Sequence, residues 1–190
     1  FLKRSLKNTK RLEALVTDLV DISRIETGEL TMNISQIDIL PIIEELLRDA
    51  NLRNDNEKIV IKINNKISDQ VFVEADPDRI HQVFNNLISN AIRYTDKGQI
   101  VINIESKDDR VHFSVIDTGV GINKDSIQRI FERFYRTQNA RSRVKSGTGL
   151  GLSIVKHIIE AHGANIEVES EIDKGTTFSF ELKKIDENIA

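Results

Sequence analysis

The feature of the sequence that most constrains the fold is a glycine-rich segment that leads directly into an apolar helix. Gly147, Gly149 and Gly151 alternate within "GTGLGLSIVK", residues 147–156. A helix that begins in bare backbone offers free N–H groups and the positive end of its dipole to a phosphate, although a plain tight turn has the same composition. The segment lacks the Lys-Ser/Thr pair of the nucleoside-triphosphate P-loop, and Leu152 stands where the dinucleotide fingerprint has its third glycine. It therefore indicates a turn or a different kind of phosphate site.

The bulk composition excludes several kinds of protein. A net charge of −3 and a pI near 5.9 provide no basic field for nucleic acid, so no nucleic-acid partner is expected. The absence of cysteine excludes disulfides and thiolate metal sites. No apolar run approaches the roughly 18 residues that a membrane span requires. Because the chain opens at Phe1 inside a predicted helix, we interpret it as part of a longer protein.

Residues 1–27 form a predicted long amphipathic helix that ends at Gly28. Its apolar residues recur at three- and four-residue steps, the spacing of a helix-bundle or coiled-coil seam. A single amphipathic helix must bury such a stripe against another element or another molecule. The stripe consists of Leu12, Leu15, Leu19 and Ile22.

After residue 28 the pattern changes to helices that alternate with β-hairpins, which predicts a mixed sheet with helices on one face. We therefore expect an α/β fold, a two-layer α/β sandwich preceded by one long helix, with a domain boundary between residues 1–28 and residues 29–190. The irregular stretch 118–148 is long for a compact domain, and such loops are usually functional or disordered. Strands are predicted near 30–39, 58–64, 71–74, 99–106, 110–117, 164–170 and 176–183, and helices after Pro41, at 77–94, near 124–131 and between Gly149 and Gly163.

The helix predicted at 77–94 carries an unusual polar face. Asn86, Asn90 and Arg93 are spaced by four and three residues, which places them on one side of the helix. Asparagine is a poor residue for a helix interior, so two of them beside an arginine favour a binding site over a solvated polar face. An amide oxygen is a suitable ligand for Mg²⁺, and an arginine suits the phosphates that such a metal bridges.

A second candidate site follows the strand predicted at 110–117. Asp117 ends that strand, and Gly119 and Gly121 then turn the chain. A turn capped by the aspartate side chain explains the segment in purely structural terms. The functional interpretation is a carboxylate at the floor of a pocket, with glycines that leave room for a flat ring. Such a carboxylate accepts from the exocyclic amine of adenine and repels the keto oxygen of guanine.

Five segments together resemble the sequence boxes of the sensor histidine kinases of two-component signalling. In chain order, "QVFNNLISNAIRYT", "DTGVGI", "IFERFYR", "GTGLGL" and "GTTF" are similar to the N, G1, F, G2 and G3 boxes of that family. The segment "RLEALVTDLVDISRIETGEL" is similar to the second helix of the family's dimerisation domain. The resemblance implies an ATP-binding α/β sandwich with ATP and Mg²⁺ as cofactors. It also implies a homodimeric parent that works with a response regulator receiver domain and is anchored in the cell membrane, with this portion in the cytoplasm.

The resemblance further implies a role for individual residues. Asn90 is expected to ligate Mg²⁺, and Asp117 is expected to accept from the adenine amine. Asn86, near a phosphate or a metal-bound water, Arg93 at the phosphates and Arg136 are the expected catalytic residues. The other nucleotide contacts implied by the boxes are Tyr94, Gly119, Gly121, Ile122, Gly147, Thr148, Gly149, Leu150, Gly151, Leu152 and Thr176.

The family's phosphate acceptor is a histidine followed by an acidic residue on the first dimerisation helix, and this sequence contains no such pair. We interpret its four histidines as structural or surface residues and expect the acceptor to lie outside the chain. Two alternatives stay open. One is an ATPase of the kind found in DNA gyrase, mismatch repair and heat-shock chaperones. Those enzymes use a glutamate as the general base at the position where this chain has Asn86, and an amide cannot abstract a proton. The other is a degenerate nucleotide-binding scaffold.

Overall fold

The computed structural model describes residues 2–29, 31–53, 58–67, 70–137 and 148–185. The order of elements predicted from the sequence is confirmed, although β1 is shorter than expected and α4 covers only the first part of the stretch near 124–131. The helices are α1 (Leu2–Glu26), α2 (Leu40–Arg53), α3 (Pro77–Tyr94), α4 (Lys124–Ile127) and α5 (Gly151–Ala161). The strands are β1 (Ser35–Asp38), β2 (Ile59–Asn65), β3 (Phe72–Ala75), β4 (Gly98–Lys107), β5 (Arg110–Asp117), β6 (Ile166–Glu171) and β7 (Gly175–Lys183).

The main sheet has five strands in the order β2-β4-β5-β7-β6, and β1 pairs with β3 in a separate two-stranded sheet. β2 runs parallel to β4, and the remaining neighbours are antiparallel, so the expected mixed sheet is confirmed. The register aligns three residues across three strands, because Asp117 pairs with Thr176 and Thr176 pairs with Ser170. This row lies at the end of the sheet where β5 leads into the glycine turn.

The core lies between the sheet and α3, and its centre is aromatic. The ring of Phe84 on α3 lies 5.6 Å from that of Phe113 and 5.5 Å from that of Phe180, and the two strand residues are 5.4 Å apart. All three side chains are fully buried. Aromatic pairs at such separations contribute roughly 0.5–1.5 kcal/mol each beyond the area they bury. The apolar face of α3 is thereby fixed on the sheet, and its polar face is left for other contacts.

The start of α3 is fixed by its predicted cap, Asp76. Its Oδ1 accepts the Arg79 N–H at 3.0 Å, and its Oδ2 accepts the Asn33 N–H at 2.8 Å. The Asp76 N–H donates to Nε2 of His162 at 3.0 Å. His162 directly follows α5 and precedes Gly163, whose φ of +70° confirms the expected end of that helix. The end of α5 and the start of α3 are therefore tied together.

The long helix α1 packs against α5 and is joined to α3 by a polar cluster around the buried Asp21. Asp21 on α1 accepts from Arg79 Nη1 at 2.8 Å and from Gln82 Nε2 at 2.7 Å. Breaking such a buried pair by removing one partner is costly, because it leaves the other charge uncompensated. Just beyond the helix, Gly28 has a φ of +69°, as expected for the glycine that ends α1.

The apolar stripe of α1 is covered only at one end. Ile22 is 7% exposed and belongs to the main core, whereas Leu12 and Leu19 are 62% and 50% exposed. No element among the described residues covers Leu12 and Leu19. Within the described part of the chain, no helix is both long enough and apolar enough to cross a membrane.

Candidate nucleotide-binding site

A cleft of about 1150 Å³ opens between α1, the polar face of α3, the turn after β5, the start of α5 and the end of β7 that carries Thr176. It exceeds the roughly 300–1,000 Å³ of ordinary small-molecule sites. The structure brings most of the residues singled out in the sequence to this one cleft. Those that line it are Asn86, Asn90, Arg93, Tyr94, Asp117, Gly121, Ile122, Arg136, Thr148, Gly149, Gly151, Leu152 and Thr176.

The amide face of α3 lies against the start of α5. A Cβ placed on Gly151 would lie 3.0 Å from Asn86 Oδ1, so the Asn86 amide packs closely against the bare Cα of this glycine. One turn further along α3, Arg93 Nη1 lies 3.4 Å from Asn90 Oδ1. The Asn86 amide thus lies at the first turn of α5, where helical N–H groups lack intrahelical partners, and Asn90 and Arg93 line the same cleft.

Asp117 forms the floor of the cleft and is only 7% exposed. Its Oδ1 accepts the Gly119 N–H at 2.8 Å. Burial raises the pKa of this carboxyl, and hydrogen bonds from the backbone of Gly119 and Thr176 oppose that shift by holding the charged form. The arrangement is that of a buried hydrogen-bond acceptor in the lining of the cleft.

The two glycines of this turn are required by backbone packing. A Cβ on Gly119 would overlap the Tyr94 carbonyl oxygen, and one on Gly121, whose φ is +66°, would overlap the Glu171 carbonyl oxygen. The Val120 N–H also donates to the Tyr94 carbonyl at 3.2 Å. The sequence predicted that these glycines leave space for a flat ring, but backbone atoms of Tyr94 and Glu171 fill part of that space. The turn therefore packs between the end of α3 and β6.

The described part of the glycine-rich segment turns sharply into α5. Gly149 has a φ of +76°, and a Cβ there would lie 2.8 Å from the Phe134 carbonyl carbon. The Phe134 N–H donates to the Gly149 carbonyl at 2.9 Å, which ties this segment to the end of "IFERFYR". Thr148 Oγ1 accepts the Leu150 N–H at 3.1 Å. These contacts leave the first N–H groups of α5 at the edge of the cleft.

Two of the expected nucleotide contacts, Leu150 and Gly119, do not line the cleft. Leu150 is 1% exposed and points into the core, and its N–H is already bonded to Thr148. Gly119 lies behind Asp117, against the end of α3. Gly147 falls outside the described residues. For Leu150 the physical reason is helical periodicity, since it belongs to the apolar side of α5 together with Ile154 and Ile158.

Arg136 reaches the cleft from the segment that follows α4. The neighbouring Tyr135 is fixed by Arg129, whose guanidinium carbon lies 4.3 Å above its ring centroid, and by a 3.2 Å hydrogen bond from its hydroxyl to Ser126 Oγ. A guanidinium stacked over a tyrosine is a stabilising cation–π contact. The wall that carries Arg136 is thus held by side chains that sequence reasoning did not single out.

Sequence reasoning also missed two acidic residues of α1. Asp18 and Asp21 line the same cleft as the amide face of α3. Burial raises the pKa of Asp18, Asp21 raises it further, and a hydrogen bond with the Thr148 side chain opposes both effects. Their three-residue spacing places both side chains on the polar side of the predicted helix, which could have been read from the sequence. The spacing does not show which other element that side contacts.

The sequence model of one protein family matches residues 75–186, and its description is histidine kinase-, DNA gyrase B- and HSP90-like ATPase. The match spans α3, the turn after β5, α5 and β7, which line the cleft together with α1. The chain belongs to this family. It is an ATP-binding catalytic domain, and the relatives described next place it with the sensor histidine kinases rather than with the other branches of the family.

Comparisons with individual proteins agree with this family assignment. The chain is 36% identical to the sensor histidine kinase WalK of Bacillus subtilis over 185 residues, 96% of its own length, but spans only 30% of WalK. The solved catalytic domain of histidine kinase ThkA superposes with a TM-score of 0.70 at 32% identity, covering 80% of this chain and 99% of that domain. Full-length ShkA in complex with AMPPNP gives a TM-score of 0.81 at 27% identity, covering 98% of this chain and 39% of ShkA.

Proposed function

We propose that this domain transfers the γ-phosphoryl group of ATP to a histidine on a dimerisation helix of its parent protein. The observation that carries the proposal is that the Asn86/Asn90/Arg93 face of α3 and the glycine-rich start of α5 line one cleft, with Asp117 buried at its floor. We assign the phosphate end of the cleft to the α3 face and the start of α5, and the adenine end to the floor around Asp117. The AMPPNP bound to the related ShkA supports a nucleotide in this fold.

The phosphate end is formed by backbone and amide groups. Gly149 and Gly151, with Gly147 expected beside them, would present N–H groups at the start of α5, where the helix dipole favours negative charge. Arg93 and Arg136 would neutralise charge on the transferring group. Thr148 and Leu152 line the same cleft. Asn86 would position a phosphate oxygen or a water.

The adenine end is formed by Asp117, Thr176, Tyr94 and Ile122. The carboxylate would accept from the exocyclic amine, and Tyr94 would lie against the ring. Gly121 keeps the turn that holds Ile122 close to β6, where the Ile122 N–H donates to Ser170 Oγ at 2.8 Å. The assignment of each of these residues is part of the proposal.

A magnesium ion fits the donor set of the phosphate end. Among the described residues no cluster of three or more His, Cys, Asp or Glu side chains could hold a metal by itself. Mg²⁺ usually keeps several waters and takes only one or two protein oxygens together with substrate phosphates, so a single amide oxygen from Asn90 is adequate. The ion would neutralise charge that develops on the phosphates.

In the transfer step, a neutral imidazole nitrogen attacks the γ-phosphorus in line with the bond to the β–γ bridging oxygen. The nitrogen–phosphorus bond forms as that phosphorus–oxygen bond breaks, and its electron pair leaves on ADP. The proton of the other ring nitrogen is taken by an acidic residue next to the acceptor histidine. The domain contributes positioning and charge stabilisation.

The parent protein is the remaining part of the proposal. We place residues 1–28 in a dimerisation domain and residues 29–190 in the catalytic domain. The exposed Leu12 and Leu19 would pack against the acceptor helix or a second copy of α1. A homodimeric parent anchored in the cell membrane, with a response regulator receiver domain as its phosphoryl acceptor, fits the resemblance to WalK and the limited share of WalK that this chain spans.

A turnover assay separates this function from hydrolysis and from a scaffold role. With Mg-ATP, we expect stoichiometric nucleotide binding and slow ADP release, since Asn86 cannot act as a base for water. Bound nucleotide is measured by filtration and ADP by a coupled assay. Rapid multiple turnover would favour a hydrolase, and absence of bound nucleotide would favour a scaffold.

Asn90→Ala tests the metal assignment. The substitution is expected to reduce the gain in ATP affinity that Mg²⁺ produces by roughly 10–100-fold, the range seen when a contact at a metal site is lost. Isothermal titration with ATP in Mg²⁺ and in EDTA measures the gain. Asn165→Ala, an exposed asparagine outside the cleft, is the matched control and should behave like the unmodified chain. If Asn90→Ala keeps the full gain, Asn90 is only a solvated helix residue.

A further inference from the structure

Ser170 lies directly behind the adenine end of the cleft. It pairs with Thr176 across β6 and β7, and Thr176 pairs with Asp117 across β7 and β5. Thr176 and Asp117 line the cleft and are 6% and 7% exposed, whereas Ser170 does not reach the cleft surface. The three side chains form a row across three strands, with Ser170 at its far end.

The hydrogen bonds of Ser170 can be assigned by counting protons. Its Oγ lies 2.9 Å from the Gly175 carbonyl oxygen, 2.8 Å from the Ile122 nitrogen and 2.9 Å from Thr176 Oγ1. A serine hydroxyl has one proton and two lone pairs. The Gly175 carbonyl can only accept, so it takes the Ser170 proton, and the Ile122 N–H can only donate, so it takes one lone pair. The second lone pair remains for Thr176, whose hydroxyl must therefore donate to Ser170.

This assignment determines what Thr176 offers to a ligand. With its single proton directed at Ser170, the Thr176 oxygen can only accept on the side of the cleft. The neighbouring Asp117 carboxylate is also an acceptor. The floor then presents two acceptors side by side, which match the exocyclic amine of adenine, directly or through an ordered water. The keto oxygen of guanine at the same position would meet two acceptors and no donor.

We propose that Ser170 is a specificity-determining residue that keeps the floor of the cleft acceptor-only by taking the hydroxyl proton of Thr176. It acts as a positioning residue, since it sets the direction of another side chain without touching the nucleotide. The inference rests on the proposed function, because it requires adenine at Asp117.

Ser170→Ala tests the proposal through nucleotide selectivity. Removal of the acceptor releases the Thr176 proton, which can then turn into the cleft and pair with a keto oxygen. The ratio of the GTP Kd to the ATP Kd is expected to fall about fivefold, the effect of one ordinary hydrogen bond. Titration calorimetry of the full chain with Mg-ATP and Mg-GTP measures both constants. Loss of the contacts to Ile122 and Gly175 is expected to weaken binding of ATP and GTP equally, so it does not change the ratio of their Kd values.

Two further variants control the experiment. Thr176→Val removes the acceptor itself while Ser170 keeps both backbone contacts, so it is also expected to lower the ratio, and adding Ser170→Ala to it should change the ratio no further. Ser179→Ala removes a hydroxyl from the other face of β7 and is expected to leave the ratio unchanged.

The outcomes separate this inference from the proposed function. Equal affinity of the unmodified chain for ATP and GTP would overturn the adenine assignment itself. A clear preference for ATP that Ser170→Ala leaves intact, with both affinities reduced equally, would show that Ser170 is only a structural bridge. Should Ser170→Ala fail to fold in a thermal unfolding experiment, Thr176→Val decides, and an unchanged ratio in that variant overturns the inference.

Discussion

Incubated with Mg-ATP, the 190-residue chain is expected to hold nucleotide and to acquire no acid-labile phosphohistidine. Phosphoryl transfer requires donor and acceptor near contact and in line, and the site proposed above would supply only the donor. His162 is engaged through both ring nitrogens, with the Asp76 N–H and the Ile158 carbonyl, and His112 lies within the sheet. No histidine of the chain is followed by an acidic residue; the four are His81, His112, His157 and His162.

The label is expected to appear when an acceptor is supplied in trans. A longer version of the parent protein, with an intact acceptor histidine and Asn90→Ala to disable its own site, should become labelled by this chain with radioactive ATP. A gel that resolves the two proteins by size assigns the label, and acid treatment identifies phosphohistidine. Asn90→Ala in both proteins is the matched control and should abolish labelling. Acid-labile label on the 190-residue chain alone would contradict the prediction.

Asp117→Asn is expected to weaken ATP binding by about 1–3 kcal/mol, which corresponds to roughly 5–150-fold in Kd. The substitution preserves size but replaces a pure acceptor by a group with a donor, so one buried polar pair is mismatched. Discrimination against GTP should fall at the same time. Titrations with ATP and GTP measure both effects, and Asp109→Asn, in the exposed turn between β4 and β5, is the matched control. Equal affinity of the unmodified chain for ATP and GTP would refute the role of Asp117.

The pKa of Asp117 provides a second readout for the same variant. Burial raises this pKa, so the folded carboxyl takes up its proton at a higher pH than an ordinary aspartate. The protonated form is a poorer partner for an amine. ATP affinity of the unmodified chain is therefore expected to fall as the pH drops through the raised pKa, whereas Asp117→Asn should lack this component. Protonation of ATP itself affects both proteins and cancels when the two pH profiles are compared.

The parts of the site that could be predicted from sequence depend on local signals. The bounds of α3, its Asp76 cap and its Asn86/Asn90/Arg93 face follow from helical spacing and capping chemistry within a few residues. The fold class follows from the alternation of helices and hairpins.

The parts that could not be predicted depend on contacts between distant segments. Asp21 meets Arg79 and Gln82, which are 58 and 61 residues further along the chain. Ser170 becomes significant only because the register of β6, β7 and β5 aligns it with Thr176 and Asp117. A spacing rule cannot supply such a register, because it is set by the packing of the whole sheet. The contacts of Gly119 and Gly121 with other backbone segments likewise depend on the tertiary structure.

The strand order also bears on solubility. β2 and β6 are the edges of the five-stranded sheet, and an edge strand is a template on which another molecule can add a strand. β6 presents Glu167, Glu169 and Glu171, all exposed, so two copies that approach edge to edge through β6 repel each other. On β2 the exposed Lys62 opposes such pairing less strongly, because it is a single charge beside Val60, which is 59% exposed. The acidic edge thus opposes sheet extension and aggregation wherever many copies of the domain are crowded together.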